Sequence, residues 1–558
     1  MNGQKCDVLH PLKKRITIGR ARYRLESVLL DSIRGRRYAP SMRQRRQVII
    51  SEGYLCHVLN RAMWICAYVA AVFCTAMAAG AASAQQEIVI QWENVQRINR
   101  SRASLQAVVT PLMSRNSPMH DKVWRALKDL KAEYVRYVPW LPYPRLAVAE
   151  LEPPGKDATF WDFSLIDPYT VDFLEATRDS SVMLNFSTIP QWMFRTPQPV
   201  QYPADANQAV WDYTQGTELR DPSRKELGDY YARIVRWYTQ GGFVDEAGKR
   251  HDSGHRYEWD YWEVLNEPDN EHTMSPEQYT ACYDAIVAAI HEVQPKMKFV
   301  GMALANPMSR LDYFEYFLDH SHHKPGIPLD MISYHFYATI PADAPRDSWE
   351  NTVFDQTRKF LNAVQGIEAV RQRLSPQTAT AINELGVIHL QDARQGNPGY
   401  VFQPFPASYW NLCAAQFAFL YGELAKCGIE MVGESALMQI PDFFPSVSMM
   451  DWETGRPNAR YWVLKLLREN FGPGDKLVMT CAASSDVFAQ AFLATDGKKK
   501  LLLVNTRNMP VKMRIAGTAG GKQEAVDQTT AFNPPASTRL DSDMIELNGL
   551  AVLLITLL

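Results

Sequence analysis

The sequence predicts an α/β protein: a (β/α)8 TIM barrel followed by a C-terminal accessory β-sandwich. Three observations carry this. Short apolar runs alternate with helical patterns eight times between residues 106 and 470. The runs are apolar along their whole length rather than alternating, as strands buried on both faces are. From residue 474 onward the helical period stops, and strands separated by turns take over. The composition agrees: of 558 residues, 46% are hydrophobic and 22% charged, a globular balance. It excludes a collagen, a disordered chain and a multi-span membrane protein.

The elements follow in order. Residues 87–92 read as a strand within an N-terminal stretch, 85–104, placed to return and pair with the sandwich. The barrel, 105–473, opens with strand 106–110 and helix 121–131, then strand 134–138 and helix 168–178. Strand 181–186 precedes helix 225–240, 261–266 precedes 276–293, and 298–303 precedes 310–320. The last three units pair 331–336 with 348–370, 379–384 with 407–427, and 431–435 with 458–470. Ser275 before Pro276 is a cap-then-proline helix start. Eight units in about 370 residues is the count for a barrel with long loops. The tail, 474–558, has strands at 487–494, 500–505, 511–515, 544–547 and 551–557, with Asp496-Gly497 and Gly520-Gly521 at turns.

Residues 1–84 are expected to be removed. No charge lies between Met63 and Ala84, Arg61 precedes the apolar run, and Ala82-Ser83-Ala84 is a small-x-small site. This is the layout of a signal peptide cut after Ala84, which predicts a secreted or periplasmic protein. The alternative is an uncleaved membrane anchor, for which the Ala-rich run is marginal against the ~20 residues needed. Residues 1–62 hold 14 Lys/Arg and 4 Asp/Glu. They read either as a basic arm for nucleic acid or anionic lipid, or as sequence upstream of a true start at Met63. The second is adopted, because a signal peptide begins close to its initiator.

Charge therefore has to be read in parts. The whole chain has 59 basic and 61 acidic side chains; without 1–62 these become 45 and 57, a net of −12 for residues 85–558. An acidic chain does not fit nucleic acid and is a poor match for a polyanionic glycan. Four of eight cysteines fall in the first 84 residues, and Cys282, Cys413, Cys427 and Cys481 show no zinc spacing. Cys413 and Cys427 share one helix, about 21 Å apart, too far for a disulfide.

In such a barrel chemistry sits at the C-terminal strand ends. Arg136 and Trp140 follow from the second strand, Asn185 and Trp192 from the third, Asn266 and Glu267 from the fourth, His335 and Tyr337 from the sixth, Glu384 from the seventh, and Glu434 from the eighth. Strands four and seven face each other across the mouth. Glu267 and Glu384 are thus the pair of carboxylates that glycosidic hydrolysis requires, one protonated and one ionised. Glu263, deeper on the fourth strand, reads as a buried structural partner. His320, His322 and His323 lie in one loop and, lacking a paired carboxylate, read as solvated rather than metal-binding. No metal and no cofactor is predicted.

The phrase Trp262-Glu263-Val264-Leu265-Asn266-Glu267-Pro268, with Glu384 closing the seventh strand and His335-Phe336-Tyr337 on the sixth, resembles the retaining glycosidases of clan A. It is most similar to glycoside hydrolase family 39, the family of β-xylosidases and α-L-iduronidases. The resemblance implies a barrel with an accessory β-sandwich, and an oligo- or polysaccharide substrate. It implies Glu267 as acid/base, Glu384 as nucleophile, Asn266 on the sugar 2-hydroxyl, Tyr337 donating to Glu384, His335 lining the subsite and Arg136 holding charge beside the nucleophile. Trp192 and Trp140 would offer stacking faces, with Asn185 also in the substrate site. Two departures stand out: Leu265 where Trp is usual, and Gly433-Glu434-Ser435 where the eighth strand usually presents Trp. Glu434 is then either a third carboxylate at the mouth or a solvated loop residue. The expected activity is secreted hydrolysis of a neutral glycan, β-xylosidase-like. A binding protein on an inactive barrel and a transglycosylase are the alternatives; the first would lack one glutamate, and the second differs only in its products.

Overall fold

The structure, a computed structural model, describes residues 86–196, 202–210, 216–394, 400–482 and 484–557. The expected signal segment and everything before it lie outside the described residues. The chain begins with β1 (Gln86–Ile98) and β2 (Arg102–Val108), then α1 (His120–Leu130), β3 (Val135–Val138), a one-turn α2 (Pro144–Ala147), α3 (Asp167–Ala176), β4 (Val182–Leu184) and α4 (Lys225–Thr239). A hairpin of β5 (Gly242–Val244) and β6 (Arg250–Asp252) leads to β7 (Tyr261–Glu263), α5 (Pro276–Val293), β8 (Lys298–Leu304), α6 (Leu311–Phe317) and β9 (Met331–Ile340). After these come α7 (Trp349–Leu374), β10 (Ala379–His389), α8 (Ala407–Cys427), β11 (Met431–Glu434) and α9 (Ala459–Asn470). The tail is β12 (Lys476–Ala482), β13 (Val487–Leu493), β14 (Lys499–Asn505), β15 (Val511–Ile515), β16 (Lys522–Val526), β17 (Ala536–Arg539), β18 (Met544–Leu547) and β19 (Val552–Leu557).

Eight strands close a parallel barrel in the order β2-β3-β4-β7-β8-β9-β10-β11, with β11 pairing back to β2. Every residue of β3, β4, β7 and β11 is buried, which is why their sequences show no alternation. The outer helices bury one stripe each; on α1 it is Val123, Trp124, Leu127 and Leu130. α5 starts on a capping box in which the Ser275 hydroxyl accepts from the Gln278 amide and the Gln278 side chain accepts from the Ser275 amide.

β1 and the tail strands form one nine-stranded sheet, β17-β16-β19-β14-β13-β12-β1-β15-β18. β1 runs antiparallel to β12 and parallel to β15. The sheet curls, because Ala489, Leu501 and Leu553 share a core with Met513 and Ile545 from its other end. Their neighbours Phe488, Phe492, Leu502 and Leu554 face the other way, into the barrel's core. α8 lies between the layers and is buried nearly all round. A Cβ on Gly422 would stand 2.3 Å from the Phe488 ring, so only glycine permits this approach. Among the described residues the four cysteines are free, and no helix is long and apolar enough to cross a membrane.

Three strand ends at the mouth break regular geometry. The predicted strand 261–266 stops at Glu263, because Leu265 (φ 61°) and Glu267 (φ 41°) turn into the left-handed region. After Gly301, Met302 (φ 83°) and Ala303 (φ 43°) do the same. β10 carries one extra residue against β9 between Ile382 and Glu384. Each departure lets consecutive side chains reach the same side, which a regular strand forbids. Left-handed non-glycine residues cost about 1–3 kcal/mol each and cluster at functional sites.

Candidate active site

Glu263 sits at the floor. One of its oxygens accepts from Arg136 Nε and from Asn185 Nδ2 (2.5 Å), the other from Ser333 Oγ (2.5 Å) and Asn383 Nδ2 (2.6 Å). Four donors on one buried carboxylate make it the base on which Arg136 is held. Arg136 is fully buried and reaches upward: Nη1 donates to Glu384 Oε1 and to Gln106 Oε1 (2.8 Å), and Nη2 to Asn266 Oδ1 (2.6 Å).

Above this floor stand the two expected glutamates. Glu384 Oε2 accepts from the Tyr337 hydroxyl at 2.7 Å. Burial alone would raise the Glu384 carboxyl, but His335, Arg136 and the Tyr337 hydrogen bond outweigh it and hold it below its ordinary value. Glu267, less buried, accepts from Asn270 Nδ2 at 3.1 Å and faces His335 Nδ1 at 2.9 Å. The same Nδ1 lies 3.5 Å from Glu384 Oε2. Burial opposes charge on His335, yet Glu384 and the hydrogen bond to Glu267 raise its pKa overall. The imidazole therefore places its Nδ1 proton between the two carboxylates. One oxygen from each glutamate and this nitrogen lie within 4.8 Å of one another. Among the described residues they are the group whose donor atoms stand close enough to take a divalent cation.

A ring of hydrogen bonds closes behind Glu384. Gln106 Nε2 donates to Ser435 Oγ, which lies 2.8 Å from the Tyr337 hydroxyl. Tyr337 has one hydroxyl hydrogen; with that given to Glu384, Ser435 is the donor to Tyr337. Gln106 and Ser435 carry no motif. The one sequence signal for Gln106 is an amide beside the apolar run Ala107-Val108-Val109. Glu271, four residues beyond Glu267, is a third omission: its Oε1 accepts from Asn266 Nδ2 and from Trp140 Nε1, both at 2.6 Å.

Arg136, Asn266, Glu267, His335, Tyr337 and Glu384 thus converge at one mouth, with Trp140 beside them; Asn185, Trp192 and Glu434 do not join them. Asn185 is fully buried and donates to Glu263 and to the Leu265 carbonyl (2.9 Å), so it braces the floor. Trp192 donates to the Glu150 carbonyl (2.8 Å), and the Arg220 guanidinium covers its ring at 4.4 Å, removing that face as a platform. Trp140 keeps its place at the mouth, against Phe443 and Phe444 at 5.5 and 6.3 Å between ring centres. Glu434 is neither at the mouth nor solvated: it is buried and paired with Arg460 Nε of α9 at 2.7 Å. Along β11, Met431 points into the barrel, so regular alternation through Val432 and Gly433 sends the Glu434 side chain outward to the helix layer. His323 is also not solvated, being buried against Asp284 (2.7 Å).

Residues 243–385 match the family model for glycosyl hydrolases family 39, a segment that runs from β5 into β10 and holds both glutamates. No curated protein matches significantly. The fold is that of the GH51 arabinofuranosidase from Xanthomonas axonopodis pv. citri, 12% identical over 85% of this chain and 100% of that one, with a TM-score of 0.59. It is also that of a family 51 α-L-arabinofuranosidase from Bifidobacterium longum (12% identity, 85% and 99%, TM-score 0.58). A GH30 endoxylanase from Clostridium papyrosolvens C71 shares it too (13% identity, 84% and 99%, TM-score 0.52). The chain is thus similar to glycosyl hydrolases family 39 over the segment that carries the paired glutamates, and its fold is one that glycoside hydrolases share.

Proposed function

We propose that the protein is a retaining glycosidase acting on a neutral glycan, with Glu384 as nucleophile and Glu267 as general acid/base. The observation that carries this is the bridged pair: two carboxylates within 4.8 Å at their nearest oxygens, each touching His335 Nδ1. Retaining enzymes set the two carboxyl groups about 5–5.5 Å apart, inverting ones about 6.5–9.5 Å to admit a water. In the first half-reaction Glu384 attacks the anomeric carbon, the bond to the leaving oxygen breaks, and that oxygen takes the proton from Glu267. A glycosyl ester on Glu384 results. Water then attacks the same carbon, Glu267 takes its proton, and the ester bond breaks to free both sugar and carboxylate.

Asn266 is suited to the sugar 2-hydroxyl, since Arg136 and Glu271 fix its amide from both sides. Net charge supports a neutral substrate. The structural neighbours named as arabinofuranosidases and an endoxylanase support a pentose-containing glycan, with β-xylosidase-like activity foremost. The uncharged run before Ala84 supports export, and N-terminal sequencing of exported material should read Gln85-Gln86. Screening nitrophenyl glycosides, xylosides and arabinosides first, should find the substrate. Glu384→Gln should then lower kcat at least 10⁴-fold on the order of a lost nucleophile, and a 2-deoxy-2-fluoro glycoside should label Glu384. Label on any other residue, or full activity in the variant, would overturn the assignment.

A further inference from the structure

We infer that Glu271 is a positioning residue of the sugar site, acting through Asn266 and Trp140 rather than on the reacting atoms. The inference deepens the proposed glycosidase function and rests on it. Glu271 Oε1 takes two donors at 2.6 Å, the Asn266 amide from its own loop and the Trp140 indole from the loop after β3. Asn266 is held from the other side by Arg136 Nη2 on Oδ1. With a guanidinium on its oxygen and a carboxyl oxygen on its nitrogen, the amide has one orientation; flipping it would put two donor groups face to face. One amide hydrogen and one oxygen lone pair remain for a substrate hydroxyl. Without Glu271 that orientation is set from one side, and Trp140 loses its anchor.

The second carboxyl oxygen, Oε2, is buried and has no hydrogen-bond partner among the described residues. Around Glu271 stand Glu267 on its own loop, Glu384 from β10, Arg136 from β3 bonded to Asn266, and His335 from β9 bonded to Glu267. An ionised Glu271 would leave Oε2 bare, within the influence of two further carboxylates and without a cation paired to it among the described residues. The uncharged acid avoids this, and burial together with Glu267 and Glu384 moves its pKa in that direction. Glutamine is then close to a copy of the working side chain, while alanine removes it.

The test uses a nitrophenyl glycoside that the wild type hydrolyses, together with its 2-deoxy counterpart. Glu271→Ala should lose about tenfold or more in kcat/KM on the parent glycoside and less than about threefold on the 2-deoxy one, because the contact it supports is absent there. Equal losses on both substrates would mean a general structural role and would overturn the inference. Glu271→Gln should stay within about threefold on the parent, with the alkaline limb of its pH profile unmoved. A limb displaced to lower pH would mean that a negative charge beside Glu267 had been lost, and would equally overturn it. If Glu271→Ala does not fold by circular dichroism, Glu271→Gln decides alone. A wild type with no glycosidase turnover brings down the parent reading too, whereas an active wild type with an unaltered alanine variant overturns this inference only.

Discussion

Ser435 reaches Glu384 through a hydroxyl that never touches it. Its Oγ takes a hydrogen bond from Gln106 and gives one to Tyr337, which donates to Glu384. Ser435→Ala should therefore lower kcat about tenfold with KM within about twofold, since a positioned donor to the ionised carboxylate acts on chemistry rather than binding. Glu384 is held below its ordinary value by His335, Arg136 and Tyr337; loosening Tyr337 lets it rise, so the acidic limb of kcat/KM should move to higher pH. Glu150 offers a stability counterpart: burial pushes its carboxyl up to about 8 despite a hydrogen bond from the Phe160 amide. Below its ordinary 4.5 both folded and unfolded chains carry the proton. As pH rises from there toward 8, the unfolded chain releases it and the folded chain does not, so the wild type loses stability. Glu150→Gln does not titrate and should gain on wild type by about 2–4 kcal/mol between pH 5 and pH 8 in urea unfolding. A constant difference across that range would refute the buried-acid assignment. Glu267 and Glu384 were legible because strand ends and a matching phrase locate them. Asn185 faces inward but lies at the floor, below the mouth, and Glu434 faces outward by regular alternation from Met431; one sequence reveals neither the depth nor the parity of a strand end.

At the level of elements, the irregular strand ends do the positioning. β7 stops at Glu263, and the left-handed turns at Leu265 and Glu267 bring Asn266 and Glu267 to one mouth. The extra residue in β10 lets Asn383 brace Glu263 while Glu384 faces Tyr337. Strand centres could be read from apolar runs, but these terminations could not. They are tertiary: the chain leaves the sheet because the site's hydrogen bonds outweigh the ladder. The eighth strand shows the same from outside. Arg460 on α9 pairs with Glu434 and donates from Nη2 to the Ser435 carbonyl, so one buried guanidinium ties helix, strand and the Ser435 backbone together. Arg460→Met should cost about 3–5 kcal/mol, because it leaves Glu434 buried without its cation. Replacing both partners, Arg460→Met with Glu434→Leu, should recover much of that loss. A double variant no more stable than the single one in chemical unfolding would show that the side chains act by packing rather than as an ion pair.

Across the whole molecule, the barrel and the curled sheet share core rather than merely touching. Phe488 meets Phe419 of α8 at 5.3 Å between ring centres, and Phe492 meets Phe471 at 4.4 Å. The chain both enters and leaves the barrel through this sheet, with β1 and β12 paired across its two ends. That the tail is all-β was legible from turns and strand lengths. The pairing of β1 with β12, and which face of β13 meets α8, depend on contacts between segments far apart in sequence. The shared core has a thermodynamic consequence: the sheet cannot open without exposing α8, so the two layers should unfold together. Gly422→Ala tests this at the seam, where a Cβ would stand 2.3 Å from the Phe488 ring and must push it aside. Overpacking of this kind costs about 1–3 kcal/mol. In native-state hydrogen exchange read by mass spectrometry, peptides from β13, β14 and α8 should all lose protection by the same amount in the variant, as should peptides from β9 and β10 on the barrel. Loss confined to the sheet, with the barrel strands unchanged, would show two independent cooperative units and refute the coupling.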